Sequence, residues 1–200
     1  MAVYLCPLLG FDVVGYSLRS NVGQQEIQSC VQRLLKKALG ALGTEILESH
    51  WLNTGDGGYV TVQGHIEAAV RLLEVFAERL RIENQRVLGV RRNEQPPPEP
   101  SDTYPIKARY ALHFGTFHRN EESIGPTVAG DGINDLARLL DKMPHDRPGL
   151  VVVSDVYRQL LVEEAEMDED LFQKMPDLTD KHDKTHALWN FHKAPVGLRT

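Results

Sequence analysis

The chain has 200 residues, 42% of them hydrophobic and 25% charged, the balance of an ordinary soluble globular protein large enough to bury a core. Its formal net charge of −6 argues against a nucleic-acid surface, where a basic stripe is expected, and means that an anionic ligand must be held by local cations or metals. Two cysteines, Cys6 and Cys30, supply no disulfide framework and suit a reducing cytoplasm; the apolar start lacks a basic flank and soon meets Asp12, so it reads as neither signal peptide nor membrane span.

Residues 3–14 read as a buried strand, with Pro7 implying an edge or a bulge early in it. Asp12 stands inside that apolar run, where a charged group needs a partner, and a divalent metal is a good candidate. Gly15-Tyr16-Ser17 turns the chain toward a helix over about 24–39, whose core face is Ile27, Val31, Leu34, Leu35 and Ala38 and which Gly40 and Gly43 end. Two strand-like runs follow, 44–52 and 59–62, joined by Asn53-Thr54-Gly55-Asp56-Gly57-Gly58. Glycine supplies the positive φ that such a turn requires, so the pattern predicts a β-hairpin with Asp56 at its tip. A second helix starts near residue 65 and runs to 80 or beyond, with Ile66, Val70, Leu73, Phe76, Ala77 and Leu80 on one stripe.

Residues 93–105 hold the one low-complexity piece, a Pro-rich stretch that reads as a solvated connecting loop. The clearest alternation in the chain comes next. Ile106, Ala108, Tyr110, Leu112 and Phe114 point one way, and Lys107, Arg109, Ala111 and His113 the other, as a face open either to solvent or to phosphates. Gly130 to Arg138 opens a third helix with Ile133, Leu136, Ala137 and Leu140 inward. A short strand at 150–153, a helix at 155–164, a solvated acidic stretch at 163–170 and a last strand at 187–191 complete the chain. Without a strict βαβ rhythm, this order predicts one α+β or α/β domain over residues 1–200, a mainly antiparallel sheet covered by helices.

Neither of the common glycine-rich nucleotide loops is present. His182 and His186 lack the further ligands of a zinc site, and Asn53 to Gly64 has glycine where a calcium loop needs a bidentate glutamate. Two readings use Asp12. Gly130-Asp131-Gly132-Ile133-Asn134-Asp135 matches the magnesium motif of haloacid-dehalogenase-like phosphatases, but Val14 occupies the position of their second aspartate and Asp56 and Arg138 are left idle.

The better match, over nearly the whole chain, is to the catalytic domain of class III nucleotidyl cyclases. Phe11-Asp12-Val13-Val14-Gly15-Tyr16-Ser17 resembles the family's first metal motif, and Thr54-Gly55-Asp56-Gly57 its second. Arg109 to Gly115 resembles the strand that carries a triphosphate-binding arginine, and Gly130-x-x-Ile133-Asn134-x-x-x-Arg138 the helix start that supplies a transition-state asparagine and arginine. The resemblance implies a ferredoxin-like α/β sandwich that cyclises a nucleoside triphosphate with two divalent cations, Mn2+ or Mg2+. Asp12, Asp56 and the Val13 main chain would hold the metals. The Val14, Gly15, Tyr16 and Ser17 loop, Arg109 and Lys181 would bind the triphosphate, Asn134 would orient the ribose, and Arg138 would offset charge on the α-phosphate. It also implies a symmetric homodimer with shared sites, and the charge and the apolar patterning described above leave no nucleic acid and no membrane among the expected partners.

One base-reading position departs from the purine-specific members: Leu52 stands where they read the base with lysine or glutamate, while Thr127 holds the second position, where aspartate or threonine is usual for adenine. Leucine cannot hydrogen-bond a purine edge, and Trp51 and His50 flank it. In this the chain resembles the stand-alone pyrimidine cyclases of bacterial antiphage defence, which implies UTP ahead of CTP as substrate and cyclic UMP as product, with an adenylate cyclase as the alternative. A cyclase-like domain that only binds is a third possibility, which the intact Asp12, Asp56, Asn134 and Arg138 oppose.

Overall fold

The computed structural model describes residues 2–92, 102–120, 127–179 and 185–192. In chain order these form β1 (Ala2–Val13), α1 (Asn21–Leu42), β2 (Ile46–Asn53), β3 (Gly57–Gly64), α2 (Ala68–Arg92), β4 (Ala108–Asn120), β5 (Thr127–Ala129), α3 (Asp131–Lys142), β6 (Val151–Ser154), α4 (Asp155–Glu163), β7 (Phe172–Lys174), β8 (Leu178–Thr179), β9 (Thr185–His186) and β10 (Leu188–Phe191). The main sheet runs β2-β3-β1-β4-β6-β10-β7, with β5 also paired to β4, while β8 and β9 form a separate hairpin. Among the described strands, only β4 and β6 pair in parallel. The β1-α1-β2-β3-α2-β4 segment with strand order 2-3-1-4 is a ferredoxin-like arrangement, so the expected α+β fold with a mainly antiparallel sheet is what the chain adopts.

Alternation along the strands decides which face each helix covers. Leu9, Phe11 and Val13 of β1, with Tyr110 and Leu112 of β4, pack under α1, α2 and α4. Cys6 and Leu8 of β1, with Ala111 and Phe117 of β4, pack under α3. The α3 helix lies deep on the sheet because its first turn meets it through glycine: a Cβ on Gly115 would stand 2.8 Å from the Gly132 Cα. That approach fixes where Asn134 and Arg138 leave the sheet surface.

Pro7 is explained by local pairing. β1 is bonded to β4 along its whole length but to β3 only from Leu8 to Asp12, so Pro7 sits where the β3 side of the strand is open. The first helix is longer than its apolar stripe: Ser20 caps it through the Gly23 N–H, Gly40 lies inside it, and Gly43, with φ of 52°, ends it. The polar side of β4 is not a solvent face. Arg109 and His113 are 3% and 8% exposed, because α3 closes over them.

The strand β2 corrects one sequence expectation. Trp51 does not share a face with Leu52. It packs against the α1 side of the sheet, beside Ile27 and Val31, whereas His50 stands edge-on to Phe117 and Leu52 joins the cluster under α3. Neighbouring strand residues must point to opposite faces, so Trp51 is core and His50 alone flanks Leu52. Trp51→Ala is therefore expected to lower unfolding stability by roughly 3 kcal/mol, read as a reduced urea midpoint. An unchanged midpoint would mean that the indole is not part of the core.

Candidate active site

The end of β1 and the tip of the β2–β3 hairpin meet through one backbone bond, from the Val13 N–H to the Asp56 carbonyl at 2.8 Å. The tip is a compact turn. Gly55 has φ of 97° and donates its N–H to Asn53 Oδ1 at 2.9 Å, and Thr54 Oγ1 donates to Asp56 Oδ1 at 3.2 Å. Gln28 of α1 holds the tip from outside, its amide donating to the Gly55 carbonyl at 3.0 Å and the Tyr16 hydroxyl at 2.8 Å. Gly57 is needed for close approach, since a Cβ there would fall 2.9 Å from the Asp12 Cα and closer still to the Phe11 carbonyl.

These contacts place Asp12 and Asp56 in one cleft of about 330 Å³. Its wall continues through Val13, Val14, Gly15, Tyr16 and Ser17, then Tyr59 and Arg109, and on the far side Ala137, Asp141 and His145. The Val14 N–H is spent on the Lys107 carbonyl at 2.8 Å, so the expected four-residue amide cradle shrinks to three. The N–H groups of Gly15, Tyr16 and Ser17 have no acceptor among the described residues. The start of the long helix α1 is not available either, because Asp102 occupies it, accepting from the Ser20 N–H at 2.7 Å and from the Ser20 hydroxyl.

Arg109 is buried at the floor. Its Nε and one terminal nitrogen reach Asp12 Oδ2 at 2.8 and 2.7 Å, and its other terminal nitrogen donates to the Met143 carbonyl after α3. Both bonds to Asp12 fall on Oδ2, leaving Oδ1 with no partner among the described residues. Burial nonetheless pushes the Asp12 carboxyl above its ordinary range, against the pull of Arg109, and Asp56 adds to the rise. Burial likewise raises the Tyr59 phenol, followed by the charges of Asp56, Asp12 and Asp141. With Asp12, Asp56 and Asp141 on its wall against Arg109, the pocket is short of positive charge even with its arginine in place.

That deficit is the test of a metal. No group of three or more His, Cys, Asp or Glu side chains among the described residues could hold an ion. Two carboxylates and a main-chain oxygen are, however, the incomplete oxygen set that magnesium and manganese accept when substrate phosphates finish the shell. Asp12, Asp56 and the Val13 carbonyl fit that role.

The remaining expected residues lie elsewhere. Asn134 is exposed on α3 and Arg138 is bonded to Asp135 at 2.7 Å; neither lines the cleft with Asp12 and Asp56. Leu52 pairs with Tyr59 across the hairpin, and Thr127 with Asn120 at the end of β4. Lys181 lies outside the described residues. Asp131, which a phosphatase would bring to Asp12, sits exposed at the start of α3 and does not line the cleft. Gln28, Asp141 and His145 carry no motif, and sequence patterning passes them over.

No family model matches the chain, and no curated protein does. Solved structures do. The guanylyl cyclase Cya2 superposes with a TM-score of 0.66 at 15% identity, covering 94% of this chain and 92% of its own. The guanylate cyclase domain of RhGC from Catenaria anguillulae, in complex with GTP, gives 0.64 at 13% identity over 95% and 97%. The adenylyl cyclase CyaB from P. aeruginosa gives 0.55 at 14% identity over 95% of each chain.

The ion pair at the floor makes a direct stability prediction. Arg109→Met strands Asp12 and the Met143 carbonyl without a donor, and removing one partner of a buried pair costs about 3 kcal/mol or more. Adding Asp12→Asn to that variant is expected to recover part of the loss in chemical unfolding. Additive losses would show that the two side chains are not coupled. The pair sits at the heart of a chain that has the fold of the cyclase catalytic domains it superposes on.

Proposed function

We propose that the protein is a nucleotidyl cyclase, a lyase that joins the ribose 3′-oxygen of a nucleoside triphosphate to its own α-phosphorus and releases pyrophosphate, acting as a homodimer. The observation that carries this reading is the division of the expected residues. Asp12, Asp56 and the free N–H groups of Gly15 to Ser17 share one cleft, while Asn134 and Arg138 project from α3 outside it. A single copy holds both halves of the chemistry, and two copies related by a twofold axis make two complete sites.

In the reaction the 3′-oxygen–phosphorus bond forms as the bond from the α-phosphorus to the bridging oxygen breaks, and the hydroxyl proton passes to water. Divalent cations held by Asp12, Asp56 and the Val13 carbonyl would supply acidity for the 3′-hydroxyl and charge for the leaving pyrophosphate. The N–H groups of Gly15, Tyr16 and Ser17 donate to phosphate oxygens. Arg138 from a second copy offsets charge on the α-phosphate as it develops, and Asn134 beside it holds the ribose. The wall sets three carboxylates, Asp12, Asp56 and Asp141, against one guanidinium, Arg109, so a polyanionic triphosphate enters only as its metal complex.

The base assignment rests on Leu52. Leu52 is packed into the cluster under α3 and offers no hydrogen bond, which disfavours a purine edge. UTP is therefore the proposed substrate ahead of CTP, and cyclic UMP the product, a second messenger of antiphage defence as in the pyrimidine cyclases that the sequence resembles. Incubation with each of the four nucleoside triphosphates and Mn2+, with products identified by mass, is expected to yield cyclic UMP fastest. Leu52→Lys with Thr127→Asp is expected to shift preference toward ATP by roughly ten- to a hundred-fold. Cyclic AMP formed faster than any cyclic pyrimidine nucleotide would reject the base assignment, and no cyclic product at all would reject the enzyme.

A further inference from the structure

The cleft wall carries two side chains with N–H donors for a phosphate, Arg109 and His145. The first of them is already engaged. Arg109 is 3% exposed and its guanidinium is divided between Asp12 Oδ2 and the Met143 carbonyl. A triphosphate could take it only by breaking a buried ion pair with a metal-binding carboxylate, which is costly.

The bond to Met143 has a second effect. It fastens the chain leaving α3 to the sheet two residues before His145. The same segment is fastened again beyond it, where the Gly149 N–H donates to the Ala108 carbonyl at 2.8 Å. Both anchors are adjacent residues of β4. The span from Met143 to Gly149 is thus strapped across the end of that strand, with His145 exposed and lining the cleft. His145 and the open N–H groups of Gly15 to Ser17 line the same space. From α3, the charged group on this wall is Asp141, whose side chain is 76% exposed and so largely screened.

We propose that His145 binds the triphosphate of the substrate, from the same subunit as Asp12 and Asp56, and that Arg109 serves as the positioning residue that holds the His145 strap. The inference rests on the nucleoside triphosphate reading of the cleft. An imidazole suits the task because it donates an N–H to a phosphate oxygen in either protonation state. On this assignment Arg109 keeps Asp12 in place and ties the strap to the floor, and His145 is the phosphate ligand.

The probe is inorganic tripolyphosphate with Mn2+, measured by calorimetric titration of full-length protein, alongside steady-state kinetics with the best nucleotide. His145→Ala is expected to weaken tripolyphosphate and to raise KM, each about ten-fold or more, with kcat changed less. His145→Lys is expected to restore most of both. The unfolding midpoint is expected to stay unchanged, since the side chain is exposed. Tripolyphosphate binding equal to wild type in His145→Ala would overturn the proposal, as would wild-type protein that binds no tripolyphosphate. If wild-type protein forms no cyclic nucleotide yet binds tripolyphosphate in a His145-dependent way, the cyclase reading fails and the phosphate assignment stands. If cyclisation proceeds and is indifferent to His145→Ala, the cyclase reading stands and the phosphate assignment fails.

Discussion

The buried pair between Asp12 and Arg109 is the constraint on which the rest of the site depends. It joins the central strands β1 and β4 at the point where β1 delivers its carboxylate to the cleft. Through the Met143 carbonyl it also fixes the segment that leaves α3. One side chain therefore sets the position of the Asp12 carboxylate, the floor of the cleft and the far wall. Burial still leaves Asp12 harder to ionise than an ordinary aspartate, so the fold holds the carboxylate in a place that favours a further cation.

Backbone geometry does the remaining positioning. The Val13–Asp56 bond ties the hairpin tip to β1, Gly57 allows the two strands to approach, and Gln28 braces the tip against α1. The opposite face of the sheet carries α3 through the contact of Gly115 with Gly132, which presents Asn134 and Arg138 away from the cleft they are expected to complete. On the proposed function, a site divided this way is inactive in a lone subunit, and assembly becomes part of catalysis.

Much of this is legible in the chain itself. Apolar periodicity locates α1, α2 and α3, and the glycine-flanked Asp56 marks a hairpin tip because few other residues tolerate that turn. Alternation in 106–114 gives the correct two faces of β4, yet it cannot say that α3 buries Arg109 and His113, since a local pattern does not record what covers it. Trp51 is a different case. Strand alternation alone sends it to the face opposite Leu52, so its place in the core follows from the pattern and its bulk has no bearing on the base. The short strands β5 and β7 to β9 are two or three residues long and exist through distant pairing, which leaves no periodic trace. His145 sits in a connecting segment tied down by an anchor 36 positions earlier in sequence, Arg109, and no local signal announces it.

Complementation between subunits tests most directly whether each active site takes Asp56 from one copy and Arg138 from the other. Asp56→Asn and Arg138→Ala are each expected to be inactive as homodimers. Refolded together in equal amounts, half of the dimers are mixed and each carries one intact site of two. About a quarter of wild-type cyclase activity is then expected to return. Dimers confirmed by sedimentation that regain no activity on mixing would contradict the account and place both residues in the same subunit's site.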